Sequence, residues 1–378
     1  MRITNIEVIE LRVPGWDGSG YDGSWDDCVI RVHTDAGITG IAEVDSEPVV
    51  VRAIVEAPVA HTKSRGLRSV LLGADARDIE ALWDRMYDAT YHFGRRGAAI
   101  HAISGIDIAL WDIKGKAEGK PVAALLGGRK RDRVKAYGTV YPLGRTPDEV
   151  RANLDRGLAL GLKAIKIVAD PFWADDIAVT ERIVRTARDH VGPDVDLMVD
   201  AATAWTSAEQ GLPLLPLFRE CRMAWLEAPL PLDDVAGHAR FAGHGVPVGG
   251  GDMGLTTRFE FLDMLDRGRC DIAQPDITMV GGYTEMRRLA AEVATRGKRI
   301  VTHGYKTNLL VAINLNFLAA QAADEPCEYS TSVSPLRWEL TNERFPISAD
   351  GRIAVPDAPG VGVTLSEDAL VRFARRRV

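Results

Sequence analysis

From residue 133 to about 330 the chain repeats one pattern eight times: a short apolar run of strand type, then a segment with helical spacing. The strand-like runs are VKAYGTV, AIKIVA, DLMVDA, MAWLEA, VPVGGGD, CDIAQPD, RIVTHG and CEYS. Between them, TPDEVRANLDRGLALG opens on a threonine cap with proline in the first turn, and TEMRRLAAEVATRG closes on glycine. Parallel strands connected through helices have short right-handed crossovers, and eight such units close into a barrel. The expected fold is therefore α/β, with a TIM-like (β/α) barrel over 126–350.

Residues 1–125 read differently. ITNIEVIELRV and DCVIRVHTDAGITGIAEV are strand-like, the second holding a DAG turn signal for a hairpin. DARDIEALWDRMYDAT carries apolar residues at helical spacing, and AAIHAISGIDIALWDIKGKAEGK is a mostly buried helix stopped by Gly119 and Pro121. This is an α+β domain. The tail, 351–378, is too short for a domain and is expected to pack back on the first one.

Catalytic groups of such barrels sit at the C-terminal strand ends. Those ends carry Lys166, Asp200, Glu227, Asp252, Asp276, His303 and Glu328. From Asp200 onward the steps are 27, 25, 24, 27 and 25 residues, about one β/α unit each. Random surface charge does not keep that phase. Asp200, Glu227 and Asp252 converging on one mouth would repel one another unless a cation held them, and an all-oxygen donor set favours Mg²⁺. A neutral His303 is the expected general base, with Asp276 fixing its tautomer. Lys166 and Val168 share a strand face while Lys163 points away, so Lys166 is expected inside the barrel, offsetting the carboxylates or binding a substrate carboxylate.

The bulk properties exclude several classes. The 378 residues are 46% hydrophobic and 26% charged, a composition able to bury a large core. A net charge of −7 with both signs interspersed gives no basic stripe for nucleic acid, and no apolar run approaches the roughly 20 residues needed to cross a bilayer. The N-terminal alternation is a strand and not a signal peptide. Cys28, Cys221, Cys270 and Cys327 are far apart, so free thiols in a reducing cytoplasm are expected.

The chain resembles the enolase superfamily, specifically its mandelate racemase subgroup. AISGIDIALWDIKGK looks like the subgroup's signature at the end of its N-terminal domain. LMVDA, WLEAPL and PVGGGD look like its three metal-ligand strands, and DIAQPD with VTHG like its Asp-His dyad. The resemblance implies that the first domain caps the barrel, that loops near 15–27 help close the site, and that the protein is a homo-oligomer. It also implies that Glu328, as a protonated acid, donates a hydrogen bond to the substrate carboxylate.

The departures are informative. The subgroup's second strand often ends K-x-K, whereas this one keeps Lys166 and has Val168 in the later place. The third strand's frequent D-A-N is Asp200-Ala201-Ala202, and Asp252 stands for a more usual glutamate. With one base missing, the expected chemistry is single-base removal of the proton α to a carboxylate. The leading reaction is dehydration of an aldonate or aldarate to a 2-keto-3-deoxy acid; cycloisomerisation of a sugar-acid lactone or anhydro ring follows, then racemisation or epimerisation. A non-catalytic binding relic of the fold is the non-enzymatic alternative. Tyr141, Trp16, Tyr21, His92, Arg95 and Lys306 are candidates for substrate contacts, and Trp205 is as readily core as pocket.

Overall fold

In the computed structural model, which describes residues 1–18, 22–252 and 254–375, the N-terminal domain is built on an antiparallel sheet in the order β1 (Ile3–Arg12), β2 (Asp26–Thr34) and β3 (Thr39–Val44). Gly37, at φ +74°, turns the β2–β3 hairpin where the DAG signal lies. Tyr21 lies outside the described residues. The helix Ala98–Glu118 lies against this sheet, and 15 of its 21 residues are buried, because one side meets β2 and β3 and another meets the barrel. Gly119 ends it in the left-handed region, at φ +64°.

Eight parallel strands follow: β4 (Arg133–Val140), β5 (Ala164–Val168), β6 (Asp196–Asp200), β7 (Met223–Glu227), β8 (Val248–Gly250), β9 (Ile272–Ala273), β10 (Arg299–Ile300) and β11 (Cys327–Ser330). Their ladder runs β10-β9-β8-β7-β6-β5-β4-β11, so the eighth barrel strand pairs with the first. The seventh and eighth are joined by a side chain: the Gly304 N–H donates to Glu328 at 2.9 Å. The helix Pro147–Ala159 carries the expected Thr146 cap, with Glu149 completing a capping box.

The two-residue strand period sets depth inside the barrel. A buried layer of Tyr137, Ala164, Met198, Trp225, Ile272 and Val301 takes one residue from each of six strands. Two positions further along the same faces come Lys166, Asp200, Glu227, Gln274 and His303, and Val168 stands one step nearer the mouth on β5. All four cysteines are free and buried.

The tail divides its contacts. Arg352–Ala354 (β12) pairs antiparallel with β4 and so extends the barrel, which differs from the expectation that the whole tail returns to the first domain. Beyond it, Ala374 bridges Leu11 of β1, and Glu367 is ion-paired with Arg31 of β2. No helix of the described residues is long and apolar enough to cross a membrane.

Candidate active site

The barrel mouth opens into a cavity of about 300 Å³ lined by both domains. From the barrel come Thr139, Tyr141, Lys166, Val168, Asp200, Asp252, His303 and Glu328; the first domain adds Asp22, Gly23 and Asp45. Ala202, Met279 and Tyr305 complete the wall.

Asp200, Glu227 and Asp252 are buried, and one oxygen from each lies within 4.8 Å of the others. The backbone turns sharply after each strand: Ala202 and Ala228 have φ of +46° and +42°, and Gly251 has φ +106°. A left-handed alanine costs about 1–2 kcal/mol, and at Ala202 the turn brings its N–H to Asp200 Oδ1 at 2.8 Å. Glu227 Oε2 accepts from Trp225 Nε1 at 2.9 Å and also from Gln274 Nε2. Gly249, beside Glu227 in register, is needed for that contact, since a Cβ there would lie 1.8 Å from Gln274 Oε1.

Burial raises Glu227 to about 8 and Asp252 to about 6, with Asp200 adding repulsion in both cases. Asp252 Oδ1 is buried without a hydrogen-bond partner. Three converging carboxylates, one with an unused buried oxygen, form an acidic cluster that can hold a cation.

Lys166 is 1% exposed. Its ammonium lies 3.2 Å from Asp200 and 3.0 Å from Glu328, and pairs with Glu227 as well. Burial opposes the charge on Lys166, but these three carboxylates hold its pKa well above the ordinary lysine value.

Glu328 is 1% exposed on the eighth strand. Burial pushes its pKa up, yet Lys166, His303, the Thr139 hydroxyl and the Gly304 N–H outweigh burial and hold it at about 2. Its two oxygens accept from the Thr139 hydroxyl and the Gly304 N–H.

His303 Nδ1 lies 2.9 Å from Asp276 Oδ2, and Asp276 Oδ1 in turn accepts from the Thr278 N–H at 2.7 Å and its hydroxyl at 2.6 Å. Burial lowers the imidazole pKa, but the Asp276 hydrogen bond and the charges of Glu328, Asp276 and Asp252 raise it to about 10. The surrounding carboxylates thus favour the charged ring.

Among the weaker sequence candidates within the described residues, Tyr141 lines the cavity, and Trp16, His92, Arg95 and Lys306 do not. Trp16 stacks on Trp25 with centroids 4.7 Å apart. His92 is exposed on the first domain beside His61, and Arg95 is exposed over Tyr91. Lys306 donates to Gly23 O at 2.8 Å and Asp26 O at 2.9 Å and meets Asp45 at 3.3 Å, so it fastens the first domain to the barrel. Trp205 is core, stacked between Phe218 and Phe241.

Asp22, Asp45 and Tyr305 were not singled out from the sequence. Asp45 and Asp22 come from the other domain and share no phase with the barrel strands. Tyr305 stands two residues past His303, and that spacing is the one signal that could have marked it.

Residues 149–369 match the enolase C-terminal domain-like family, and residues 26–127 match the mandelate racemase / muconate lactonizing enzyme N-terminal domain. The chain is 35% identical over 316 residues to the D-galactarolactone cycloisomerase of Agrobacterium fabrum, covering 80% of this chain and 82% of that one. It is 34% identical over 320 residues to the arabinonate dehydratase of Saccharolobus solfataricus, covering 83% of each. The crystal structure of a racemase from Streptomyces coelicolor A3(2) with bound magnesium is similar with a TM-score of 0.85 at 28% identity, covering 99% of this chain and 100% of that one. The two domain matches, covering most of the sheet domain and of the barrel, show that the chain belongs to the mandelate racemase / muconate lactonizing enzyme family of the enolase superfamily.

Proposed function

We propose that the protein removes the proton α to the carboxylate of a sugar acid and expels the β-hydroxyl as water, giving an enol that tautomerises to a 2-keto-3-deoxy acid. The observation that carries this reading is the one-sided placement of titratable groups. His303 and Asp276 stand at one side of the mouth, and the second strand offers Val168 at its tip, with Lys166 below it committed to three carboxylates. One base supports elimination, whereas racemisation needs a proton acceptor and donor on opposite faces.

Asp200, Glu227 and Asp252 fit Mg²⁺, a hard cation that takes oxygen ligands, and the unpartnered Asp252 oxygen supports the assignment. The ion would supply positive charge at the substrate carboxylate as the α-carbon loses its proton. Asp276 holds His303 Nδ1, which leaves Nε2 as the nitrogen that takes the α-proton. Neutralising Asp252 removes one of the charges that keep His303 protonated, and so brings the ring toward the neutral form a base requires. As imidazolium, His303 then delivers its proton to the departing β-oxygen on the same face. Lys166 keeps a fixed positive charge beside the developing anion.

Ring opening of a sugar-acid lactone is the second reading, favoured by the 35% identity to a D-galactarolactone cycloisomerase. It shares the first step and differs in expelling a ring oxygen. The test is α-proton exchange in D₂O with Mg²⁺ across a sugar-acid library. His303→Asn should lower exchange by about 10³-fold, within the range of general-base contributions, while Val168→Ala retains it. Exchange at the wild-type rate in His303→Asn would transfer the role to Lys166 and remove this assignment.

A further inference from the structure

We propose that the substrate is a polyhydroxy monocarboxylate, and that Asp45 and Asp22 set this choice by accepting hydrogen bonds from its hydroxyls and repelling a second carboxylate. The inference rests on the proposed function and adds the charge at the substrate's far end.

Among the described residues, the only basic side chains lining the cavity are Lys166 and His303. Both belong to the reacting end: Lys166 pairs with Asp200, Glu227 and Glu328, and His303 with Asp276. No arginine among the described residues lines the cavity. Arg145, on the loop after the first barrel strand, is held 4.2 Å over the Phe172 ring.

Lys306 is the one further ammonium nearby, and its protons are committed. It reaches Gly23 O at 2.8 Å, Asp26 O at 2.9 Å and Asp45 Oδ1 at 3.3 Å, which uses the three donors of an ammonium. It therefore positions Asp45 and has no donor left for a ligand.

Among the described residues, the first domain thus presents carboxylates and no basic side chain to the cavity. Asp45 has an oxygen within 4.8 Å of a His303 ring nitrogen and of an Asp276 oxygen. Asp22 is held by the Ser24 N–H at 2.9 Å and by the Ser332 hydroxyl, which locks its carboxylate at the wall. Fixed carboxylates accept charge-assisted hydrogen bonds from sugar hydroxyls. A second substrate carboxylate would instead meet like charge in a cavity of about 300 Å³ where, among the described residues, Lys166 and His303 are already paired and no other basic side chain lines the wall.

The test uses the wild-type protein with Mg²⁺ and pairs of acids that differ at the far end alone: gluconate against glucarate, galactonate against galactarate, and the corresponding lactones. Formation of 2-keto-3-deoxy acid gives kcat/KM, and calorimetry gives binding. Monoacids should exceed their diacid partners by about 100-fold or more in kcat/KM, the scale of an unpaired like charge in a poorly solvated site. Asp45→Asn should narrow that ratio by about 10-fold, with a melting curve to check that the fold is kept. A diacid bound and turned over as well as its monoacid partner overturns this inference and leaves the proposed function standing. Absence of α-proton exchange with every acid overturns the proposed function, and this inference falls with it.

Discussion

The ammonium of Lys166 lies 3.0 Å from Glu328 and 3.2 Å from Asp200, so one buried lysine of the second barrel strand bridges carboxylates of the third and eighth. Removing it leaves those charges buried without a partner, and breaking a buried pair costs about 3–5 kcal/mol. Lys166→Met should therefore lower the urea midpoint of metal-free protein, and added Mg²⁺ should recover more stability in the variant than in wild type. An unchanged midpoint would mean that the ammonium is not what balances the cluster.

Asp252 carries the unpartnered oxygen of the acidic cluster, so its loss should act on cation binding before it acts on folding. For wild-type protein, Mg²⁺ at a hundred times its Kd should add about 2.7 kcal/mol of stability. Asp252→Ala should abolish that gain and the calorimetric binding signal while keeping the circular dichroism spectrum. Binding retained at wild-type strength would take Asp252 out of the site.

Lys306 is buried among Asp45, Asp27 and Glu43, and burial raises Glu43 to about 7 even with the lysine present. Lys306→Met should destabilise the protein by about 3–5 kcal/mol, because three acids lose their countercharge. The Gly23 and Asp26 carbonyls lose their donor at the same time, so hydrogen exchange should accelerate in residues 22–27. Unchanged exchange there would show that the segment is held by the Ser24, Ser332 and Ser334 contacts alone.

Asp107, on the long helix of the first domain, is buried with Oδ1 unpartnered and Oδ2 accepting from the Thr284 N–H at 3.0 Å. Burial raises its pKa from 3.8 to about 7. The folded state thus keeps a proton that the unfolded chain releases, and stability contributed by the neutral form is lost as pH rises from about 4 through 7. The difference is on the order of 4 kcal/mol. The melting temperature of Asp107→Asn relative to wild type should therefore rise between pH 5 and pH 8. A constant difference would mean that Asp107 titrates alike in both states.

The sequence carried the barrel because strand and helix periods are local, and it carried the rim because one β/α unit sets the spacing. Asp200, Glu227, Asp252, Asp276 and His303 come together from strands far apart in the chain with no signal beyond that phase. The parity that put Lys166 and Val168 on one face also gave their depths, with Lys166 in the charged layer and Val168 nearer the mouth.

Ionisation was not legible in the same way. Against burial, Lys166 and His303 lower the Glu328 pKa to about 2, and Asp276, Glu328 and Asp252 raise that of His303 to about 10, through charges on strands that meet only once the barrel closes. Nor could the sequence place the other domain's contribution. Lys306 fastens Gly23 and Asp26 to the barrel, His92 stands exposed elsewhere, and Asp45 and Asp22 enter the cavity wall. Local periodicity fixes which face of an element a side chain occupies. Which charges it meets there depends on how two separately patterned domains dock, and that is decided by tertiary packing, since Coulomb interactions act through space and not along the chain.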